Sequence, residues 1–84
     1  MENKVLISLY VPYLDKKYDM YIPVNKRIHS VIDLMKKSIY ELSEGSFNTN
    51  ASYELYNFET GTVYNMNDLV RNTDIGNSSK LVII

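Results

Sequence analysis

The feature that most constrains this chain is a change of apolar period within its first half. Val5, Ile7, Leu9 and Val11 alternate with Leu6, Ser8 and Tyr10, the period of two that a strand with one buried face requires. Pro12 ends that run, and Tyr13 to Lys17 is a connection of hairpin length. Tyr18, Met20, Ile22 and Val24 then alternate with Asp19, Tyr21 and Pro23. Pro23 has no N–H to give to a ladder, so it belongs at the end of this second strand or on a sheet edge. Two such strands with a short link read as an antiparallel hairpin. From Ile28 onward the apolar residues Ile28, Val31, Ile32, Met35, Ile39 and Leu42 recur at steps of three and four. That spacing predicts one stripe on a helix of about 15–17 residues. Asn25 is the expected N-cap, although Lys26 and Arg27 oppose the helix dipole there, and Gly45 is the expected stop. A single amphipathic helix cannot bury its stripe alone, so it must pack across the hairpin sheet.

The remainder completes a sheet. Ser46 to Ser52 reads as a polar loop, Tyr53 to Tyr56 as a third strand, and Glu59 to Thr62 as a Gly-bearing turn. Val63–Tyr64 is expected to be a very short fourth strand, and Asn67 to Val70 a single helical turn capped by Asn67 or Asp68. Ile75 to Ser79 is a turn, and Leu81 to Ile84 is apolar throughout, as a central buried strand is. The order is β-β-α-β-β-turn-β, with the last strand central and parallel to the first. This is an α+β architecture, the β-grasp or ubiquitin-like roll: a mixed four- to five-stranded sheet on one helix, expected as one domain over residues 1–84.

Composition narrows the chemistry. There is no Cys, hence no disulfide, thiolate metal site or cysteine nucleophile. The one histidine, His29, falls off the apolar stripe, where an exposed helix-surface residue is the expectation. Asp15, Asp19, Asp33, Asp68 and Asp74 are scattered, and Asp68 and Asp74 are expected to stabilise turns. Gly45, Gly61 and Gly76 stand alone, so no phosphate-cradling loop is written here. We therefore expect no catalytic, cofactor or metal site and no enzyme activity. Nine basic residues against ten acidic ones give a net charge of −1, and Lys16–Lys17, Lys26–Arg27 and Lys36–Lys37 are each diluted by nearby acids. Nucleic acid is not an expected partner. No apolar run approaches the roughly 20 residues of a membrane span. The first residues lack the continuous apolar core of a signal peptide, so the expected location is cytoplasmic without direct membrane insertion.

Two stretches carry a family likeness. Tyr53-Glu-Leu-Tyr through Val70, with Ile75 following and Leu81 to Ile84 closing, resembles ubiquitin-like domains, Val70 and Ile75 standing for their spaced apolar pair. Tyr18-Asp-Met-Tyr-Ile-Pro23, followed at once by the helix Ile28 to Leu42, resembles the small bacterial ubiquitin-like proteins of the YukD/EsaB family. That resemblance implies a cytosolic accessory or regulatory protein of a Gram-positive type VII (WXG100) secretion system. It would act by non-covalent contact with the machinery, with the cytosolic part of the membrane secretion ATPase as the implied target. The sequence departs from ubiquitin-like modifiers at its end, Leu81-Val82-Ile83-Ile84, where they carry Gly-Gly. A modifier or sulfur carrier needs a narrow flexible tail to reach an activating enzyme, which stiff β-branched residues do not supply. That alternative is disfavoured on this ground, and self-association as a homodimer stands as the other.

Alternation also assigns faces. If Val5, Ile7, Leu9, Met20, Ile22, Tyr53, Leu55, Leu81 and Ile83 face the helix, then Leu6, Tyr10, Tyr21, Glu54, Tyr56, Val82 and Ile84 face outward. In a sheet ordered second–first–last–third these are expected to form one contiguous outer face, with Leu6, Tyr10, Tyr21, Tyr56, Val82 and Ile84 as its candidate protein-binding residues. Tyr is favoured at interfaces because a rigid amphipathic ring buries area at low entropic cost. The competing reading is that eight tyrosines reflect AT-rich codons and the strand preference of the residue. A register slip of one residue would exchange the faces and remove the assignment.

Overall fold

The computed structural model describes residues 3–84. The first period-two run forms β1, Lys4–Val11, and the second forms β2, Lys16–Pro23. They pair antiparallel, with Val5 opposite Ile22, Ile7 opposite Met20 and Leu9 opposite Tyr18. Between them the backbone turns through Asp15 at φ +50°, with N–H bonds from Leu14 to the Val11 carbonyl and from Asp15 to that of Pro12. Helix α1, Ile28–Leu42, follows, then β3, Leu55–Asn57, a 3-10 turn at Val70–Asn72, and β4, Lys80–Ile83. The sheet order is β2-β1-β4-β3, with β4 parallel to β1 and antiparallel to β3. A mixed four-stranded sheet on one helix is the β-grasp roll that the periodicity predicts. Pro23 sits at the end of the edge strand, where its missing N–H leaves no ladder bond unmade.

The core lies between α1 and one face of the sheet. Ile7, Leu9, Val11, Ile22, Leu55, Leu81 and Ile83 of the strands meet Ile28, Val31, Ile32, Met35 and Ile39 of the helix, with Val70 and Ile75 closing the far end. Val5 and Met20 pack against this cluster at its rim. The register is therefore the one alternation assigns.

Several local expectations are corrected. The helix stripe stops at Ile39, because Leu42 stands exposed in the last turn. Its place in the core is taken by Phe47, which the polar surroundings of residues 46–52 conceal in the sequence. Phe47 is buried and stacks on Tyr53 with ring centroids 4.8 Å apart. Asn25 does not cap α1: Arg27 occupies that position in extended geometry with no side-chain cap. The first helical donors are satisfied from a distant loop instead, Ile28 N–H bonding the Asp68 carbonyl at 2.9 Å and His29 N–H that of Met66 at 3.1 Å. The Arg27 guanidinium turns back onto the Asn67 carbonyl, so the positive charge near the helix start is matched by a backbone acceptor rather than by an acid. The segment at Asn67 and Asp68 thus caps another element, and the 3-10 turn begins only at Val70, with Leu69 at its own cap position. Gly45 does end the helix as expected, at φ +84° with its N–H on the Tyr40 carbonyl. The expected fourth strand at Val63–Tyr64 reduces to a single bridge between Val63 and Tyr56.

Candidate protein interface on the outer sheet face

The face of the sheet turned away from α1 is laid out in cross-strand rows. One row pairs Tyr21 of β2 with Leu6 of β1. The next runs Asp19, Ser8, Lys80, and Phe58, whose N–H bonds the Lys80 carbonyl at 2.9 Å. The third runs Lys17, Tyr10, Val82, Tyr56 and the bridged Val63. Beyond it Glu54 and Ile84 exchange two backbone bonds of 2.8 and 3.1 Å. All six residues singled out in the sequence therefore lie on one face: Leu6 and Tyr21 as a register pair, Tyr10, Val82 and Tyr56 in one row, and Ile84 one row further.

Two features differ from the expectation. The apolar surface is not continuous, because Asp19, Ser8 and Lys80 separate the Leu6–Tyr21 pair from the Tyr10–Val82–Tyr56 row. Val82, moreover, is only 9% exposed. It stands outside the core cluster, and register places it between Tyr10 and Tyr56. Val82 is thus the floor of the outer row rather than part of its surface. Leu6, Tyr21 and Ile84 are exposed, Tyr21 at 66%.

The tyrosines are held by acids. Tyr10 Oη donates to Asp15 Oδ1 at 3.0 Å, and that bond is the main reason its pKa is raised above the ordinary tyrosine value. Tyr56 Oη donates to Glu54 Oε1 at 3.2 Å, and the Glu54 charge raises its pKa in the same sense. Both phenols stay neutral, and each ring is tied at its polar end to an acid, with both tyrosines flanking Val82 in register. This is an arrangement suited to docking, in which little side-chain freedom remains to be lost.

Sequence reasoning missed Phe58. It lies just past β3, 49% exposed, with the edge of Tyr10 against it at 6.3 Å and the Lys17 ammonium 6.0 Å from its centroid. Its signal was present as the next outward position after Glu54 and Tyr56, but the strand was read as ending at Tyr56. His29 is exposed, with Ser30 Oγ 3.4 Å from its Nδ1. Asp74 accepts from Tyr64 Oη at 2.6 Å, while Asn57 reaches both groups. Burial first, and then the Asp74 bond, push the Tyr64 pKa up to about 12. Asp74 therefore fastens a turn, as expected. Among the described residues no three His, Asp or Glu side chains gather closely enough to hold a metal ion. None of the described helices is long and apolar enough to cross a membrane.

No protein-family model and no curated protein sequence matches the chain. Solved structures do. The chain is similar to the ubiquitin-like domain of EccD5 from Mycobacterium xenopi, with a TM-score of 0.79 and 13% identity over 99% of this chain and 94% of that one. It is also similar to the ubiquitin-like domain of the Mycobacterium tuberculosis type VII secretion system protein EccD1, with a TM-score of 0.75 and 12% identity over 100% and 99%. A chain of the toluene 4-monooxygenase HD complex matches at a TM-score of 0.74 with 4% identity over 95% of each. These likenesses define the ubiquitin-like fold. At such identities they carry the fold alone, and the monooxygenase chain illustrates that one roll serves unrelated machinery.

Proposed function

We propose that this chain is a non-enzymatic, cytoplasmic ubiquitin-like accessory or regulatory protein of a Gram-positive type VII secretion system. It works by non-covalent docking of the outer sheet face onto the cytosolic part of the machinery, with the membrane secretion ATPase as the first target to test. One observation carries the reading: the outer face gathers Leu6, Tyr10, Tyr21, Tyr56 and Ile84 over the Val82 floor, with Tyr10 and Tyr56 pinned by acids. The resemblance of Tyr18–Pro23 and the following helix to the YukD/EsaB family supports the secretion assignment, and so do the ubiquitin-like domains of type VII secretion proteins among the structural neighbours.

Capture of the tagged protein from a host carrying such a system, with cross-linking and intact-mass spectrometry, tests the reading. The expected result is an unmodified mass, with cross-links from the outer-face strands to secretion components. A ladder of heavier covalent adducts, or cross-links confined to the helix side, would overturn it.

A further inference from the structure

We infer that the outer face recognises a partner segment carrying an acidic side chain, which seats in a notch between Lys17 and Lys80 against the Phe58 ring. This rests on the docking reading above and names the chemistry of the partner. The notch has a volume of about 50 Å³ and is lined by Ser8, Tyr10, Lys17, Phe58, Lys80 and Leu81. One water molecule needs about 10–15 Å³ of such volume, so the notch has room for a group the size of a carboxylate.

Two lysines, Lys17 and Lys80, line that space, and neither is ion-paired within the fold. The one ion pair among the described residues is Lys36–Asp33, on the helix. Carboxylates do stand nearby. Asp15 is taken by the Tyr10 hydroxyl, Asp19 lies opposite Ser8 on the same face, and Glu59 follows Phe58 in the turn. None approaches Lys17 or Lys80 within 4.0 Å. Lys17 instead rests its charge near the Phe58 ring face at 6.0 Å, which leaves its ammonium N–H groups available to donate to an incoming carboxylate. The Ser8 hydroxyl adds a neutral donor.

The flanks fit the same kind of segment. On one side lies the Tyr10–Val82–Tyr56 row and on the other the Leu6–Tyr21 pair, so the polar row that interrupts the apolar surface becomes the place for an acid between two apolar anchors. An extended partner running along the strands turns every second side chain toward the face, so an apolar–x–acidic–x–apolar segment reproduces that order.

The test uses the full chain, isotopically labelled for amide resonances, and two terminally blocked pentapeptides. One is Leu-Ser-Asp-Ser-Leu, and the other replaces the Asp by Asn. The aspartate peptide is expected to move the amides of Ser8, Lys17, Phe58 and Lys80 saturably. The Asn peptide should bind about threefold more weakly for each cation engaged. Lys17→Gln and Lys80→Gln, both at exposed positions, should each cost the aspartate peptide about threefold and shrink the difference between the peptides. Phe58→Ala should weaken both peptides. Equal binding of the two peptides, unaltered by either Lys substitution, overturns the acidic-notch inference. If the shifts then still fall on Leu6, Tyr21, Tyr56 and Ile84, the docking face survives without it. Absence of binding by either peptide also overturns the inference, whereas loss of outer-face cross-links in the host overturns the face itself.

Discussion

The two faces of the sheet are built from neighbouring residues and do opposite things. Along β4, Leu81 and Ile83 enter an aliphatic core with no polar side chain buried in it, while Val82 between them points to the other side. The inner face is Ile, Leu and Val sealed by a helix. The outer face mixes Tyr and Phe with Leu6, Val82 and Ile84, with acids at the ends of two phenols and lysines in its rows. The inner face spends its apolar area on holding the fold. The outer face leaves Tyr21 and Phe58 exposed and holds Tyr10 and Tyr56 half-buried with their phenols fixed by acids, a partly open surface whose geometry is set before a partner arrives.

Substitutions that break this contrast should differ in size. Phe47→Ala empties a stacked core position and should cost about 3–5 kcal/mol of unfolding free energy in a urea titration. Leu81→Ala on the inner face should cost about 2–5 kcal/mol. Val82→Ala, one residue away, removes buried methyl groups from the thinner outer cover and should cost only about 1–2 kcal/mol. A loss at Val82 equal to that at Leu81 would mean that the outer row is a second core rather than a docking floor. Tyr21→Ala, at an exposed position, should leave stability within about 0.5 kcal/mol while weakening partner binding.

A pH dependence sharpens the same contrast away from the interface. The Tyr64 pKa is raised from 10.0 to about 12, so the native state favours the neutral phenol. The stability this contributes is complete below the unfolded-state pKa near 10.0 and is lost as pH rises toward about 12. Urea midpoints taken across that interval should fall more steeply for the wild type than for Tyr64→Phe. Parallel curves would show that the Tyr64–Asp74 contact contributes nothing.

The strands, the helix and the face assignment were legible because alternation is a strong local code and the core respects it from Val5 to Ile83. What escaped was whatever depends on contacts distant in sequence. The helix start is capped by carbonyls of Met66 and Asp68, so no capping side chain needed to be written at Asn25. Phe47 lies in a polar stretch with no period to announce it. At Val63 the expected strand shrinks to one bridge with Tyr56, because the chain leaves the sheet edge at once. At the candidate interface, the six residues were readable from alternation alone. The burial of Val82, the interrupting Ser8–Asp19–Lys80 row and the exposed Phe58 were not, because they depend on the register of four strands at once.

The most direct test of the central claim is a calorimetric titration of the cytosolic region of the type VII secretion ATPase with the wild-type chain and with Tyr10→Ala/Tyr56→Ala. The account predicts saturable binding by the wild type and a loss of tenfold or more in the double variant (about 1.4 kcal/mol or more), with its circular dichroism spectrum and cooperative unfolding retained. Undiminished affinity in a folded double variant would contradict it.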